Sequence, residues 1–152
     1  MKRILSFALA AVMAFSLVGC GGVVSSTSFV DGTYRAEFRE TDAYGWKDYV
    51  EVTIADGTLS EVVYDSVNED GSRLKSQDES YKAEMEAIVG TYPAKYNKDL
   101  INQFIESGKV TSVDIVAGAT ESTGNFKTLI IAAMESAVNG TVETVIVENI
   151  EK

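Results

Sequence analysis

The chain has 152 residues and a formal net charge of −10, which suffices for one domain with a sizeable core and little else. So acidic a body lacks the clustered Lys and Arg that nucleic-acid phosphates or an anionic lipid surface would require. It contains no His, and its single Cys is Cys20. That excludes a His/Cys zinc site, a Ser-His-Asp triad and any disulfide within the chain. Redox chemistry here needs a cofactor from elsewhere.

Residues 1–19 have the pattern of a secretion signal: Lys2 and Arg3 at the start, then an uncharged apolar run from Ile4 to Val18. The run is short for a membrane span, which needs about 20 residues. Leu17-Val18-Gly19-Cys20 resembles the lipobox cut by the lipoprotein signal peptidase, with Cys20 as the first, lipidated residue of the mature chain. Two acyl chains on Cys20 would hold the protein firmly on the outer face of a bacterial cytoplasmic membrane. Residues 20–30 form a short tether rich in Gly and Ser, and residues 31–152 form the folded domain.

Thr33 to Arg39 alternates, with Tyr34, Ala36 and Phe38 on one face, as a half-buried strand does. Thr41 to Lys47 is a loop holding Tyr44, Gly45 and Trp46. Tyr49 to Ala55 alternates again through Val50, Val52 and Ile54. Asp56-Gly57 is a hairpin turn, and Leu59 to Asp65 returns as its partner. Three antiparallel strands in a meander follow. Ser66 to Ser76 is a polar loop leading to a helix capped by Ser76 or Asp78, with Tyr81, Met85, Ile88 and Val89 as its apolar stripe. Gly90 stops it, and Pro93 keeps the next segment out of it. A second helix over Asn97 to Glu106 buries Leu100, Ile101, Phe104 and Ile105. Lys109 to Val116 is predicted as a strand. A long helix from Ser122 to Val138 follows, with Phe126, Leu129, Ile130, Ala133, Met134, Ala137 and Val138 on one face. Val142 to Val147 has the β-branched content of a last strand, at a sheet edge or as a tail. The expected fold is α+β: an antiparallel sheet with helices packed on it, in a single small domain.

The most informative stretch is Asp114-Ile115-Val116-Ala117-Gly118-Ala119-Thr120. It places Thr120 on the turn before the long helix. Free N–H groups and the positive end of the helix dipole make such a turn favourable for a phosphate. By position alone Thr120 suits an N-cap. Ser122 or Thr123 can cap in its place, which would leave the Thr120 hydroxyl available. Gly118 and Ala119 suit a tight turn, and their small side chains leave the hydroxyl accessible.

These residues resemble the flavinylation motif of the FMN-binding domain family: an Asp, two variable residues, Ser or Thr, then Gly-Ala and Thr or Ser. Asp114, Gly118, Ala119 and Thr120 match it, and Ala117 stands where the family has Ser or Thr. Asp31-Gly32-Thr33-Tyr34, Gly45-Trp46-Lys47-Asp48, Asp56-Gly57 and the block from Lys75 to Tyr81 with Met85 are similar to the small surface-lipoprotein branch of that family. The resemblance implies that a flavin transferase joins FMN through a phosphoester to Thr120. It implies that Asp114 serves transferase recognition or braces the turn, and that Ala117, Ser122 and Thr123 belong to the site. Lys75, Ser76 and Tyr81 would line the flavin pocket, or serve as a helix cap with a core Tyr. Trp46, Tyr44 and Tyr49 stack on the flavin or pack in the core.

The resemblance therefore implies a membrane-anchored electron carrier, not an enzyme, in extracellular electron transfer. Its donor would be a membrane quinone-linked system or another flavoprotein. No metal is expected, since no EF-hand spacing is present. The alternative is a surface lipoprotein that binds a ligand with the same fold and no covalent flavin.

Overall fold

A computed structural model describes residues 28–149. The expected signal segment, Cys20 and most of the tether lie outside the described residues.

The meander forms as the alternation requires. β1 (Gly32–Phe38), β2 (Trp46–Ala55) and β3 (Thr58–Asn68) pair antiparallel, with Ala36 opposite Val50 and Val52 opposite Val62. Tyr34, Ala36, Phe38, Val50, Val52, Ile54, Val62 and Tyr64 are buried. Both residues of the β2–β3 turn have positive φ, 52° at Asp56 and 69° at Gly57, the geometry a two-residue hairpin loop demands. Trp46 begins β2 instead of sitting in the preceding loop.

Three helices complete the domain: α1 (Glu79–Val89), α2 (Pro93–Ser107) and α3 (Thr120–Asn139). α3 lies across β1 and β2 and buries Phe126, Leu129, Ile130, Ala133 and Ala137. The Phe126 ring meets Tyr64 and Phe104 edge-on, at centroid distances of 5.2 and 6.2 Å, joining sheet, α2 and α3 in one core. α2 starts at Pro93, four residues earlier than expected, because the first helical position has no use for the N–H that proline lacks. Among the described residues no helix is long and apolar enough to cross a membrane.

Three expectations need correction. The last strand, β4 (Val145–Val147), joins the sheet and runs parallel to β1, so the sheet is mixed, in the order β3-β2-β1-β4. The meander leaves β1 as an open edge, and the helical crossover brings the chain back in the same direction. Residues 109–116 are not a strand. They hold a 3₁₀ turn over Val110–Ser112 and then irregular chain. Val113 is buried while Ile115 is 64 % exposed, so no face alternates. The Asp114 N–H donates to Gln103 Oε1 at 2.6 Å and the Val116 N–H to Thr123 Oγ1 at 3.2 Å, so side chains take the place of a ladder. Finally, α1 has no buried residue: Tyr81 and Met85 are half-buried and Ile88 is 81 % exposed. Asp78, not Ser76, caps it by accepting the Tyr81 N–H at 2.9 Å.

Candidate functional site

The turn before α3 is built around Gly118. Its φ is +79°, and a Cβ there would lie 2.9 Å from Val89 Cβ and 3.1 Å from Thr91 Cγ2. Backbone angle and space both demand glycine. Ala119 is buried beneath the turn, and its N–H donates to the Val116 carbonyl at 2.9 Å. Thr123 fastens the turn to the helix: its buried hydroxyl accepts the Val116 N–H and donates to the Ala119 carbonyl at 2.8 Å.

Thr120 is therefore the first residue of α3. The cap position belongs to Ala119, and no side chain caps the helix. The expected cap roles of Thr120, Ser122 and Thr123 are thus not realised. The Thr120 side chain is exposed and makes no hydrogen bond among the described residues.

Two cavities meet at Thr120. The larger, about 410 Å³, is walled by Phe38, Ala43 and Trp46 and floored by Asp48, Gly124 and Asn125. The smaller, about 160 Å³, is bounded by Lys75, Tyr81, Tyr96, Asp48, Ser122 and Asn125. A third hollow of about 260 Å³ lies between Tyr44, Tyr81 and the exposed face of α1, with Gly118 at its edge.

Asp48 is the polar centre. Its carboxylate is buried and accepts from Tyr64 Oη at 2.8 Å, Asn125 Nδ2 at 2.9 Å and the Ser66 hydroxyl. Burial first, and then the Asp48 charge, pushes the Tyr64 phenol well up, so it serves as a fixed donor. Tyr64 also donates to the Ser122 carbonyl at 2.9 Å, tying the first turn of α3 to the sheet. Burial pushes Tyr96 up to about 12 against the opposing pull of Lys75. Lys75 itself is only 6 % exposed. Burial alone would draw its ammonium down, but Tyr96, Tyr81, Asp48 and Asp42 outweigh it and hold the group above its usual range. A cation is thus fixed beside the Thr120 turn, with Asp42 Oδ2 at 3.6 Å and the Tyr81 ring centroid at 4.8 Å.

Of the residues singled out in the sequence, Thr120, Ala119, Gly118, Ser122, Lys75, Tyr81, Met85, Tyr44 and Trp46 border these cavities. Trp46 meets Tyr81 edge-on with centroids 6.3 Å apart. The others do not border them. Ser76 holds the 3₁₀ turn Lys75–Gln77 by bonding through its hydroxyl and N–H to Asp65, so it positions Lys75 from behind. Asp114 is exposed, and its carboxylate makes no hydrogen bond among the described residues, so it does not brace the turn. Ala117 is exposed on the outside of the loop. Tyr49 lies on the opposite face of β2 from Trp46 and packs under the Arg35 guanidinium, 3.8 Å away.

Sequence reasoning missed Asp48, Asn125, Phe38 and Tyr96 as site residues. One signal was available for Asp48. It occupies an inward position of the alternation Trp46, Asp48, Val50, Val52, Ile54, where a carboxylate is out of place unless it has partners.

No family model matches the chain. A crystal structure of a protein from Clostridium perfringens superposes with a TM-score of 0.74 at 29% identity, covering 80% of this chain and 99% of that one. The α+β fold is thus shared with a solved structure. The 15 kDa lipoprotein of Treponema pallidum (strain Nichols) is 41% identical over 125 residues, spanning 82% of this chain and 88% of the relative. With that identity maintained over nearly the whole domain, the chain belongs to the family of the 15 kDa lipoprotein of Treponema pallidum.

Proposed function

We propose that the protein is a lipoprotein anchored through Cys20 to the outer face of a bacterial cytoplasmic membrane, with a ligand site at the start of α3. That the relative is a lipoprotein supports the anchor, together with the lipobox-like Leu17-Val18-Gly19-Cys20. The paired cavities around Thr120 support the ligand site.

Within that reading we propose that the ligand is FMN, joined by a phosphoester to Thr120, and that the protein carries electrons between a membrane quinone-linked or flavoprotein donor and an extracellular acceptor. One observation carries it: Thr120 presents an exposed hydroxyl, released from capping, where two cavities meet at a helix N-terminus. The residues fit such a group. Phe38 and Trp46 offer an apolar wall to a planar ring. Asn125 and Ser122 offer polar contacts, and Lys75 with the first turn of α3 offers positive potential to a phosphate. FMN would supply the reversible redox chemistry, while this chain attaches it, orients it and limits its contact with water. Thr123 and Gly118 hold the acceptor turn rigid, which keeps the attached group in one place.

The test is the mass of the protein matured in its native host. It should exceed that of the bare lipidated chain by one FMN less a water, and Thr120→Ala should abolish both that increment and flavin fluorescence in a denatured gel band. A bare Thr120 would remove the covalent link and the electron-carrier role. The surface lipoprotein with a non-covalently bound ligand would then stand in its place. Lys75 favours that second reading on its own, because a buried cation beside a cavity recruits an anionic ligand whether or not a hydroxyl is modified.

A further inference from the structure

We propose that the end of the domain where the tether enters is a seat for the lipid surface, and that this contact stands α3 upright so that the Thr120 cavities open away from the membrane. The proposal rests on the Cys20 anchor above and is independent of the flavin reading.

The chain enters the domain at a fixed point. The Val30 N–H donates to the Ala137 carbonyl at 2.9 Å, in the last turn of α3, and the Tyr34 hydroxyl donates to the Val30 carbonyl at 2.9 Å. Asp31 accepts the Gly57 N–H at 2.8 Å, and Phe29 packs against the core. Residues 20–28 span at most about 28 Å even fully extended, so lipid on Cys20 keeps this end of the domain within that distance of the bilayer.

The candidate site is at the other end. From Ala137 back to Thr120 the helix axis covers about 25 Å, at about 1.5 Å per residue. β1 repeats the separation: it starts beside the tether at Gly32 and reaches the larger cavity at Phe38, about 20 Å further on.

A tether limits distance and leaves tilt free, so tilt is set by the surface around the entry point. Val30, Val138 and Val142 are exposed there, Val142 at 63 %. A Cβ on Gly140 would lie 3.4 Å from both Val30 methyl groups, and Val138 and Val142 flank that glycine in the chain. Asp31, Asp56 and Glu143 stand at the same end, so the contact is shallow and apolar: methyl groups enter the interface and carboxylates stay in water. It need not be strong, because the anchor makes it intramolecular. A second copy is the poorer occupant, since two bodies of large negative charge repel. Ile88 and Ile115 are exposed too, but they lie by the site, whereas every position of the tether keeps the valines near lipid. The site then meets partners of the aqueous space, and a donor in the membrane reaches it only through a part that rises as high as this domain.

The test uses the full lipidated chain reconstituted in phosphatidylcholine vesicles. Its one cysteine carries the lipid, so a single nitroxide can be placed through Asn139→Cys at the tether end or Ile115→Cys at the site end. Power-saturation electron paramagnetic resonance compares relaxation by oxygen, which concentrates in lipid, with relaxation by a water-soluble nickel complex. The oxygen-to-nickel ratio should be higher at position 139 than at position 115. Val138→Glu combined with Val142→Glu, both at exposed positions, should abolish that difference while the protein still floats with the vesicles. Equal ratios with the valines intact overturn the proposal, and that comparison leaves the seat unaltered. A higher ratio at position 115 overturns it in favour of the α1 face, and a difference that survives both glutamates overturns it too. A chain that does not float defeats the anchor and the seat together, whereas one that floats with equal ratios defeats the seat alone.

Discussion

Replacing Gly118 with alanine adds one methyl group to a residue whose φ is +79°, in the turn that presents Thr120. The left-handed backbone costs an L-residue roughly 1–2 kcal/mol. The new Cβ would also stand 2.9 Å from Val89 Cβ and 3.1 Å from Thr91 Cγ2, closer than carbon atoms approach. Neither neighbour is the flexible end of a long side chain, so α1 or the turn must shift, at about 1–3 kcal/mol for overpacking. The two effects together destabilise by about 2–5 kcal/mol, a large part of the 5–15 kcal/mol that holds a domain of this size. Gly124 provides the control. It lies in α3, and a Cβ there meets nothing within 4 Å. Gly124→Ala should therefore stabilise by about 0.5–1 kcal/mol through helix propensity. Thermal unfolding followed by circular dichroism reads both, with about 4 °C expected per kcal/mol. A Gly118→Ala protein that melts with the wild type, or a Gly124→Ala protein that falls as far as Gly118→Ala, would refute the account of the turn.

Asp48→Ala leaves the Tyr64 hydroxyl, the Ser66 hydroxyl and Asn125 Nδ2 without their shared acceptor, and urea denaturation should show a loss of about 2–4 kcal/mol. Glu37 gives a pH dependence. Burial would raise its carboxyl, but hydrogen bonds from Lys47 and Arg35 outweigh that and lower it below 4.5 in the folded state. A carboxylate depressed by folding contributes stability above its unfolded value and loses it as pH falls through the folded one. In Glu37→Gln the wild-type decline below about pH 4.5 should flatten, as measured by melting temperature against pH; parallel profiles would contradict the pairing.

Local periodicity made much of this molecule legible in the sequence. The alternation through Tyr34, Ala36 and Phe38, and again through Val50, Val52 and Ile54, encodes which face of each strand is buried, and Asp56-Gly57 encodes the turn between two of them. The spacing from Phe126 to Ala137 encodes α3 in the same way, and its position placed Thr120 at the helix start. These signals are read within a few residues of themselves, because the geometry of a strand or helix repeats at short range.

Only the tertiary structure decided the rest. A β-branched run such as Val145–Val147 does not say which edge it joins or in which direction; the open side of β1 and the crossover through α3 settled that. The apolar residues of 109–116 read as a strand until Gln103 and Thr123, from two other helices, supplied the hydrogen-bond partners. The stripe of α1 has the right period yet finds no core above it, because α3 already covers the sheet. The site follows the same logic. Thr120 stood out from its neighbours in the chain, but Phe38, Asp48, Lys75, Tyr96 and Asn125 come from five separate segments and line the two adjoining cavities only after the sheet is covered. Sequence patterns report burial along one element, whereas a cavity is a property of the elements that enclose it.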